Sequence, residues 1–138
     1  GDLNVLSVID ELEQLAPVHA VYGNNDVAAT KTALPQVQRI PVEDCILGLT
    51  HGDIGNLAHC KPRDKTPDKA LSHFVDDPVD CVVFGHSHRS LIDWREMAHG
   101  RVLLFNPGSP TDRRYGPHLS CGLLRIDGKH ITPELFTW

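Results

Sequence analysis

Apolar and polar residues alternate along this chain with two different periods. Between residues 3 and 15 the apolar side chains recur every three or four positions, which predicts a helix that Pro17 ends. A second helix is predicted to begin at Pro67. Residues 26–35 show no clear period and indicate a short helix or a loop. The predicted apolar face of the second helix consists of Ala70, Leu71, Phe74 and Val75.

Short apolar runs bounded by turn-forming residues predict the strands. Two tight turns are predicted, at Glu43-Asp44 and at Asp127-Gly128. We expect the strands that follow residue 88 to form the second sheet of a sandwich. The chain of 138 residues is therefore predicted to be one α/β domain. The predicted strands cover residues 18–22, 37–42, 45–50, 81–84, 90–94, 102–105, 119–126 and 130–136.

Polar clusters that contain glycine follow three of these strands and also begin the chain. The histidines of the last cluster, His86 and His88, are two residues apart, so in an extended segment they point to the same side. We expect Gly85 to allow close approach of the backbone. Converging imidazoles indicate a transition-metal site. The clusters are Gly1-Asp2, Gly23-Asn24-Asn25-Asp26, Thr50-His51-Gly52-Asp53 and Gly85-His86-Ser87-His88.

Together with Asn106-Pro107-Gly108-Ser109, these motifs occur in an order that resembles the calcineurin-like metallophosphoesterases. Within that family, the motifs resemble particularly the small single-domain bacterial and archaeal phosphodiesterase branch. It implies a two-sheet α/β sandwich of the metallophosphoesterase type. It also implies a small phosphate-ester substrate, most simply a phosphodiester, and hydrolysis by a hydroxide that two divalent metal ions activate.

The resemblance implies a role for individual residues. It makes Asp2 the bridge between the ions, and it places His88 on the second ion. Many relatives have histidine where this chain has Asn25, which can donate a hydrogen bond to phosphate but cannot transfer a proton, so leaving groups of low pKa are favoured. The implied ligands of the first ion are Asp2, Asn24, His51 and His86. The implied catalytic residues are Asp2, Asn24, Asn25, His51 and His86.

Mixed carboxylate, amide and imidazole ligands suit borderline divalent ions better than calcium. We expect manganese first, with iron, nickel and zinc as alternatives. Two ions about 3.5 to 4 Å apart lower the pKa of a shared water and neutralise charge on the phosphoryl oxygens. A bridging carboxylate offsets the repulsion between the cations, so Asp2 is expected to be the least replaceable residue.

One motif of the family is missing from this sequence. In that family an Asp-x-His motif precedes the Gly-Asp motif, which is Gly1-Asp2 here, and completes the ligand set of the ion that His88 binds. No Asp-x-His occurs in this sequence. The chain is therefore expected to lack the first strand and helix of the fold. Three explanations stay open: a fragment, which the intact downstream motifs favour; a short protein that acts as a scaffold, as a retromer subunit of this fold does; or a second chain that supplies the strand.

The net charge and the spacing of the cysteines limit the classes of partner and the cellular compartment that the sequence favours. A formal net charge of −5 disfavours polymeric nucleic acid and anionic membranes as partners. No apolar run is long enough to span a membrane. Cysteines without a C-x-x-C spacing indicate buried thiols in a reducing compartment, which favours the cytoplasm, and a homo-oligomer is compatible with the sequence. The cysteines are Cys45, Cys60, Cys81 and Cys121; of these, Cys60 lies in a polar stretch and is the one that can touch a metal.

Several basic side chains and both tryptophans are candidates for contact with a substrate or a partner protein. Basic residues in the polar loop over residues 53–68 are either solvated or attract a phosphorylated substrate, and the same holds for Arg113 and Arg114. For a scaffold, we expect an exposed apolar patch that involves Trp94 or Trp138. The basic loop residues are Lys61, Arg63 and Lys65.

Overall fold

The computed structural model describes residues 1–55, 65–114 and 116–138. No helix in these ranges is long and apolar enough to cross a membrane. The elements in chain order are α1 (Ser7–Glu13), α2 (Ala28–Ala33), β1 (Val37–Val42), β2 (Cys45–Thr50), α3 (Thr66–Ser72), β3 (Cys81–Val83), β4 (Leu91–Met97), β5 (Gly100–Asn106), β6 (Ser120–Asp127) and β7 (His130–Thr137).

Five strands form the main sheet, in the order β1-β2-β3-β5-β4. β1 and β2 are antiparallel and pair Val42 with Cys45, so the predicted turn at Glu43-Asp44 is confirmed. β2, β3 and β5 run parallel to one another. Their carboxyl ends therefore lie at one edge of the sheet, where ligand sites of α/β proteins are commonly found.

β6 and β7 form a separate two-stranded sheet. The prediction that all strands after residue 88 belong to this second sheet is wrong for β4 and β5, because β5 pairs with β3 and so brings both into the main sheet. The turn between β6 and β7 also lies one residue later than predicted. Asp127 pairs with His130, which leaves Gly128 and Lys129 as the turn, and Gly128 has a φ of 56° that suits glycine.

The first helix is shorter than predicted. It begins at Ser7, because Asn4 has a left-handed φ of 64° that a right-handed helix cannot include. None of its residues is buried, and its flanking Leu15 is 84% exposed. The predicted helix after Pro67 is confirmed as α3, but it ends at Ser72, so the predicted face residues Phe74 and Val75 lie beyond it; Phe74 is buried and Val75 is exposed.

The segment over residues 18–22 is not a strand in the structure, contrary to the prediction. A strand requires ladder hydrogen bonds to a neighbouring strand. Here the backbone bonds are of other kinds: Tyr22 N–H donates to the Pro35 carbonyl at 3.1 Å, and the Gln38 side chain donates to the Ala20 carbonyl at 3.0 Å. Val21 is nevertheless buried, so this segment packs against the core.

The main sheet is buried on both faces, as expected for a sandwich. Alternate side chains of β5 point to opposite faces, so Leu104 joins the cluster around Phe74 while Leu103 joins the cluster around Ile131. Cys45 and Cys81 are buried free thiols, as predicted. Cys121 is exposed, contrary to that prediction, because it lies on the outer face of β6.

Candidate metal centre

The polar clusters meet at the carboxyl edge of the three parallel strands. His51 directly follows β2, His86 follows β3 within a short loop, and Asn106 ends β5. The Gly85 N–H donates to the His51 carbonyl at 3.0 Å, which joins the first two loops. A cleft of about 820 Å³ opens at this edge. The side chains that line it include Asp2, Asn25, His51, His86, His88 and Arg114.

Two of the predicted ligands, His51 and His86, converge on the amide oxygen of a third, Asn24. The Asn24 Oδ1 atom lies 3.1 Å from Nε2 of His51 and 3.0 Å from Nδ1 of His86. The two imidazole nitrogens are 3.3 Å apart, and the rings are close to perpendicular. An amide oxygen and two imidazoles therefore face one another from three separate loops.

Asp2 joins this cluster from the amino-terminal segment. Its Oδ2 atom lies 3.3 Å from Nε2 of His51. The Asn25 backbone N–H donates to Oδ1 of Asp2 at 2.8 Å, and the Asn25 side-chain amide donates to Oδ2 at 2.7 Å. The structure thus brings together five of the six predicted site residues.

Asp26 holds this arrangement in place, a role that the sequence analysis missed. Its buried carboxylate accepts the backbone N–H groups of Asp2 at 2.8 Å, Gly23 at 2.8 Å and Asn4 at 2.9 Å. Burial raises the pKa of Asp26, but the three N–H donors outweigh it and leave the pKa below its ordinary value. The signal for this role in the sequence was that Asp26 ends the polar cluster Gly23-Asn24-Asn25-Asp26.

Close backbone approach at this site depends on Gly23 and not on Gly85. A Cβ atom at Gly23 would lie 2.2 Å from Oδ1 of Asp2. Among the residues that the structure describes, the atom nearest to a Cβ at Gly85 would be the His51 carbonyl oxygen at 3.9 Å, an ordinary contact. The expectation for Gly85 is therefore wrong, and the steric requirement for glycine lies at Gly23.

Burial lowers the pKa of His51, and the neighbouring Asp2 carboxylate offsets this only in part. The ring is therefore neutral near pH 7. A neutral imidazole is the form that binds metal ions.

His88 lies apart from the cluster. It lines the same cleft, but its Nδ1 atom hydrogen-bonds to the backbone carbonyl of Asp112. Histidines that bind metals commonly make this kind of contact with the ring nitrogen that does not face the ion. The assignment of His88 to a second ion stays a prediction.

The donor chemistry of the cluster fits a divalent ion. Within residues 1–55, 65–114 and 116–138, no group of three or more His, Cys, Asp and Glu side chains is arranged to hold a metal. Asparagine is not among those four residue types, whereas the central ligand atom here is the Asn24 amide oxygen. The two imidazoles are hydrogen-bonded to this oxygen. One carboxylate, one amide oxygen and two imidazoles make the mixed set that borderline ions prefer.

The remaining predictions concern Cys60 as a metal contact and five basic residues as phosphate contacts. Cys60, Lys61 and Arg63 lie outside the described residues, and Lys65 is exposed just before α3. Arg113 and Arg114 are both exposed; Arg114 lines the cleft, with its Nε atom 3.4 Å from a carboxylate oxygen of Asp112.

Comparison with known proteins identifies the family. Residues 1–129 match the calcineurin-like phosphoesterase superfamily domain. The chain is also 34% identical over 136 residues to a probable metallophosphoesterase of Methanothermobacter thermautotrophicus, covering 98% of this chain and 71% of that protein. This chain belongs to the calcineurin-like phosphoesterase superfamily. The resemblance inferred from the five motifs is thereby confirmed.

Solved structures show the same metallophosphoesterase fold. Vps29 of Chaetomium thermophilum has a TM-score of 0.71 at 24% identity, over 98% of this chain and 66% of that chain. An archaeal phosphodiesterase has a TM-score of 0.65 at 22% identity, over 99% of this chain and 79% of that one. Vps29 of Entamoeba histolytica complexed with Zn²⁺ has a TM-score of 0.62 at 23% identity, over 96% and 76%. The chain thus spans slightly less than two thirds of the Chaetomium protein.

Proposed function

We propose that this chain carries the catalytic site of a phosphodiesterase that depends on two divalent metal ions. The observation that carries the proposal is the convergence of His51 and His86 on the Asn24 amide oxygen, with Asp2 in contact with His51. Family membership makes phosphoester hydrolysis the reaction class. The archaeal phosphodiesterase of similar fold supports a diester as the substrate.

The ligands divide between two ions in this proposal. When bound, the ions activate a water and neutralise charge that develops on the phosphoryl oxygens. We propose manganese first, with iron, nickel or zinc as alternatives, and the zinc complex of a Vps29 shows that this fold can hold zinc. Asp2, Asn24, His51 and His86 would hold one ion, and Asp2 and His88 the other.

The residues around the ions set the preference for the leaving group. Asn25 hydrogen-bonds the Asp2 carboxylate and lines the cleft, where its amide can donate to a phosphate oxygen. Because an amide cannot transfer a proton, the leaving group departs without a protein acid at this position. The substrate is therefore a small diester whose leaving group has a low pKa.

We propose the class of partner from the net charge, and the cellular compartment from the buried thiols. The net charge of −5 argues against polymeric nucleic acid and anionic membranes. The buried free thiols Cys45 and Cys81 suit a reducing compartment such as the cytoplasm. A homo-oligomer is compatible with these features.

Relative rates on matched esters test the substrate class. With manganese present, kcat/KM on bis-p-nitrophenyl phosphate is expected to exceed that on p-nitrophenyl phosphate. Among aryl diesters, the rate is expected to fall steeply as the pKa of the leaving phenol rises. A higher kcat/KM on the monoester would overturn the diester assignment, and a rate independent of the phenol pKa would overturn the role given to Asn25.

A scaffold is the second candidate, and one structural feature favours it. Trp138 is 59% exposed, and Phe136 and Leu123 of the two-stranded sheet are also exposed. Trp94 is half-buried, with the Arg101 guanidinium 4.5 Å from its ring. An apolar patch of this kind suits contact with another protein. If the chain is an enzyme, Trp138→Ala leaves hydrolysis unchanged; if wild type shows no hydrolysis with any of the proposed metals, the scaffold is favoured.

A further inference from the structure

Asn106 is a buried amide with all of its hydrogen-bonding groups in use. It ends β5 and has 0% of its surface exposed. Its Nδ2 atom donates to the Gly85 carbonyl at 3.0 Å and to Ser87 Oγ at 3.1 Å. Its Oδ1 atom accepts the Gly108 N–H at 2.9 Å. Both donated bonds reach the loop that carries the two histidines of the site.

That loop has an unfavourable backbone conformation. His86 has a φ of 63° and His88 a φ of 57°, both in the left-handed region. Such a conformation costs on the order of 1–2 kcal/mol per residue, so other contacts must hold it in place. Asn106 bonds the residue before His86 and the residue after it. The amide therefore fixes the backbone on either side of one candidate ligand.

We propose that Asn106 is a positioning residue for the metal centre, through its hydrogen bonds to Gly85 and Ser87. These bonds set the direction in which His86 presents its imidazole to Asn24 and His51. The inference rests on the proposed function, because it concerns the site that would hold the metal ions. It adds a residue that contacts neither metal nor substrate.

Packing alone does not account for an amide at this position. The neighbouring residues of β5 are apolar, and a buried amide costs free energy unless every polar atom finds a partner. Here the partners are the histidine loop on one side and the Pro107-Gly108 turn on the other. Residues that orient metal ligands in this way typically affect metal affinity by about 10- to 100-fold when they are changed.

Two variants test the proposal by different routes. Asn106→Asp keeps the shape of the side chain but removes both N–H donors. Ser87→Ala removes a hydroxyl that accepts from Asn106 and, at 3.4 Å, from the Arg89 N–H, on a half-buried side chain. The matched control is Ser90→Ala, the same substitution on an exposed residue three positions later.

The readouts are Mn²⁺ affinity by isothermal titration calorimetry and the visible spectrum of the Co²⁺-loaded chain, with thermal unfolding followed in parallel. We expect Asn106→Asp to weaken Mn²⁺ binding by about tenfold or more and to change the Co²⁺ spectrum. Ser87→Ala should weaken binding by a smaller factor and lower the unfolding temperature less than Asn106→Asp does, because it leaves only one N–H of the buried Asn106 amide without its acceptor. Ser90→Ala should bind as wild type does.

The outcomes separate the inference from the proposed function. If wild type binds Mn²⁺ and both site variants bind it equally well, the positioning role is overturned while the metal site stands. If wild type binds no metal, the proposed function fails and the inference fails with it. Should Asn106→Asp not fold, Ser87→Ala decides: unchanged affinity and spectrum overturn the inference, and weaker binding supports it.

Discussion

The carboxylate of Asp26 accepts the backbone N–H of Asp2 at 2.8 Å. This bond fixes a residue whose φ of 61° lies in the left-handed region, and whose own carboxylate faces the imidazole of His51. A buried anion that accepts three backbone N–H groups thus holds the proposed bridging ligand. The Asp26 carboxylate therefore joins the amino-terminal segment to the loop after residue 22, because it accepts N–H groups from both.

Asp26→Asn is expected to destabilise the chain by about 2–3 kcal/mol near pH 7. The charged acceptor of three N–H groups is lost, and the new amide directs its own N–H groups at those donors. Urea unfolding measures the change. Asp76→Asn, at an exposed carboxylate, is the control and should leave the unfolding free energy within about 0.5 kcal/mol of wild type.

Asp26 also makes stability depend on pH in the acid range. Its pKa in the folded chain is lowered from the ordinary value of 3.8, so the unfolded chain binds the proton more readily. The stabilisation is complete above the ordinary pKa and is lost as pH falls through the folded pKa. Urea unfolding between about pH 5 and pH 3 should show a weaker pH dependence for Asp26→Asn; equal slopes for variant and wild type would contradict the assignment.

Gly23→Ala and Gly85→Ala form a matched pair at the site. The first places a methyl group 2.2 Å from Oδ1 of Asp2, so Asp2 must move and Mn²⁺ affinity should fall by about tenfold or more. The second meets only ordinary contacts and should change the affinity by less than about threefold. Calorimetric titration with Mn²⁺ compares them, and equal losses in the two variants would refute the steric role of Gly23.

Gly48→Ala tests the packing of Phe74, which follows α3, on the main sheet. A methyl group at this position would lie 2.5 Å from the ring of Phe74, which is itself buried. The expected cost is about 1–3 kcal/mol by urea unfolding. Phe74→Leu in the same chain should make the double variant less destabilised than the sum of the single changes, whereas strict additivity would show that the two positions do not interact.

The site could be predicted from sequence where local pattern decides position. His51 and His86 each follow a recognisable apolar strand, and parallel strands bring their carboxyl ends to one edge. The contacts of Asp26 with Asp2 and of Asn106 with Gly85 could not be predicted, because these hydrogen bonds join residues 24 and 21 positions apart. No local pattern specifies such a contact.

The fold was predictable to a similar degree. The hairpin of β1 and β2 follows from two adjacent strands and a short turn. Placement of β4 and β5 in the main sheet depends on pairing between β3 and β5, which their own alternation does not encode. The segment over residues 18–22 has the composition of a strand, but a strand also requires a partner.

The most direct test of the central claim is hydrolysis of bis-p-nitrophenyl phosphate by the purified chain as a function of Mn²⁺ concentration. It is measured for wild type, for His86→Ala and for His99→Ala, which changes an exposed histidine away from the site. We predict turnover that requires Mn²⁺, that is lost in His86→Ala and that is retained in His99→Ala. Metal-independent turnover, or equal turnover in wild type and His86→Ala, would contradict the account.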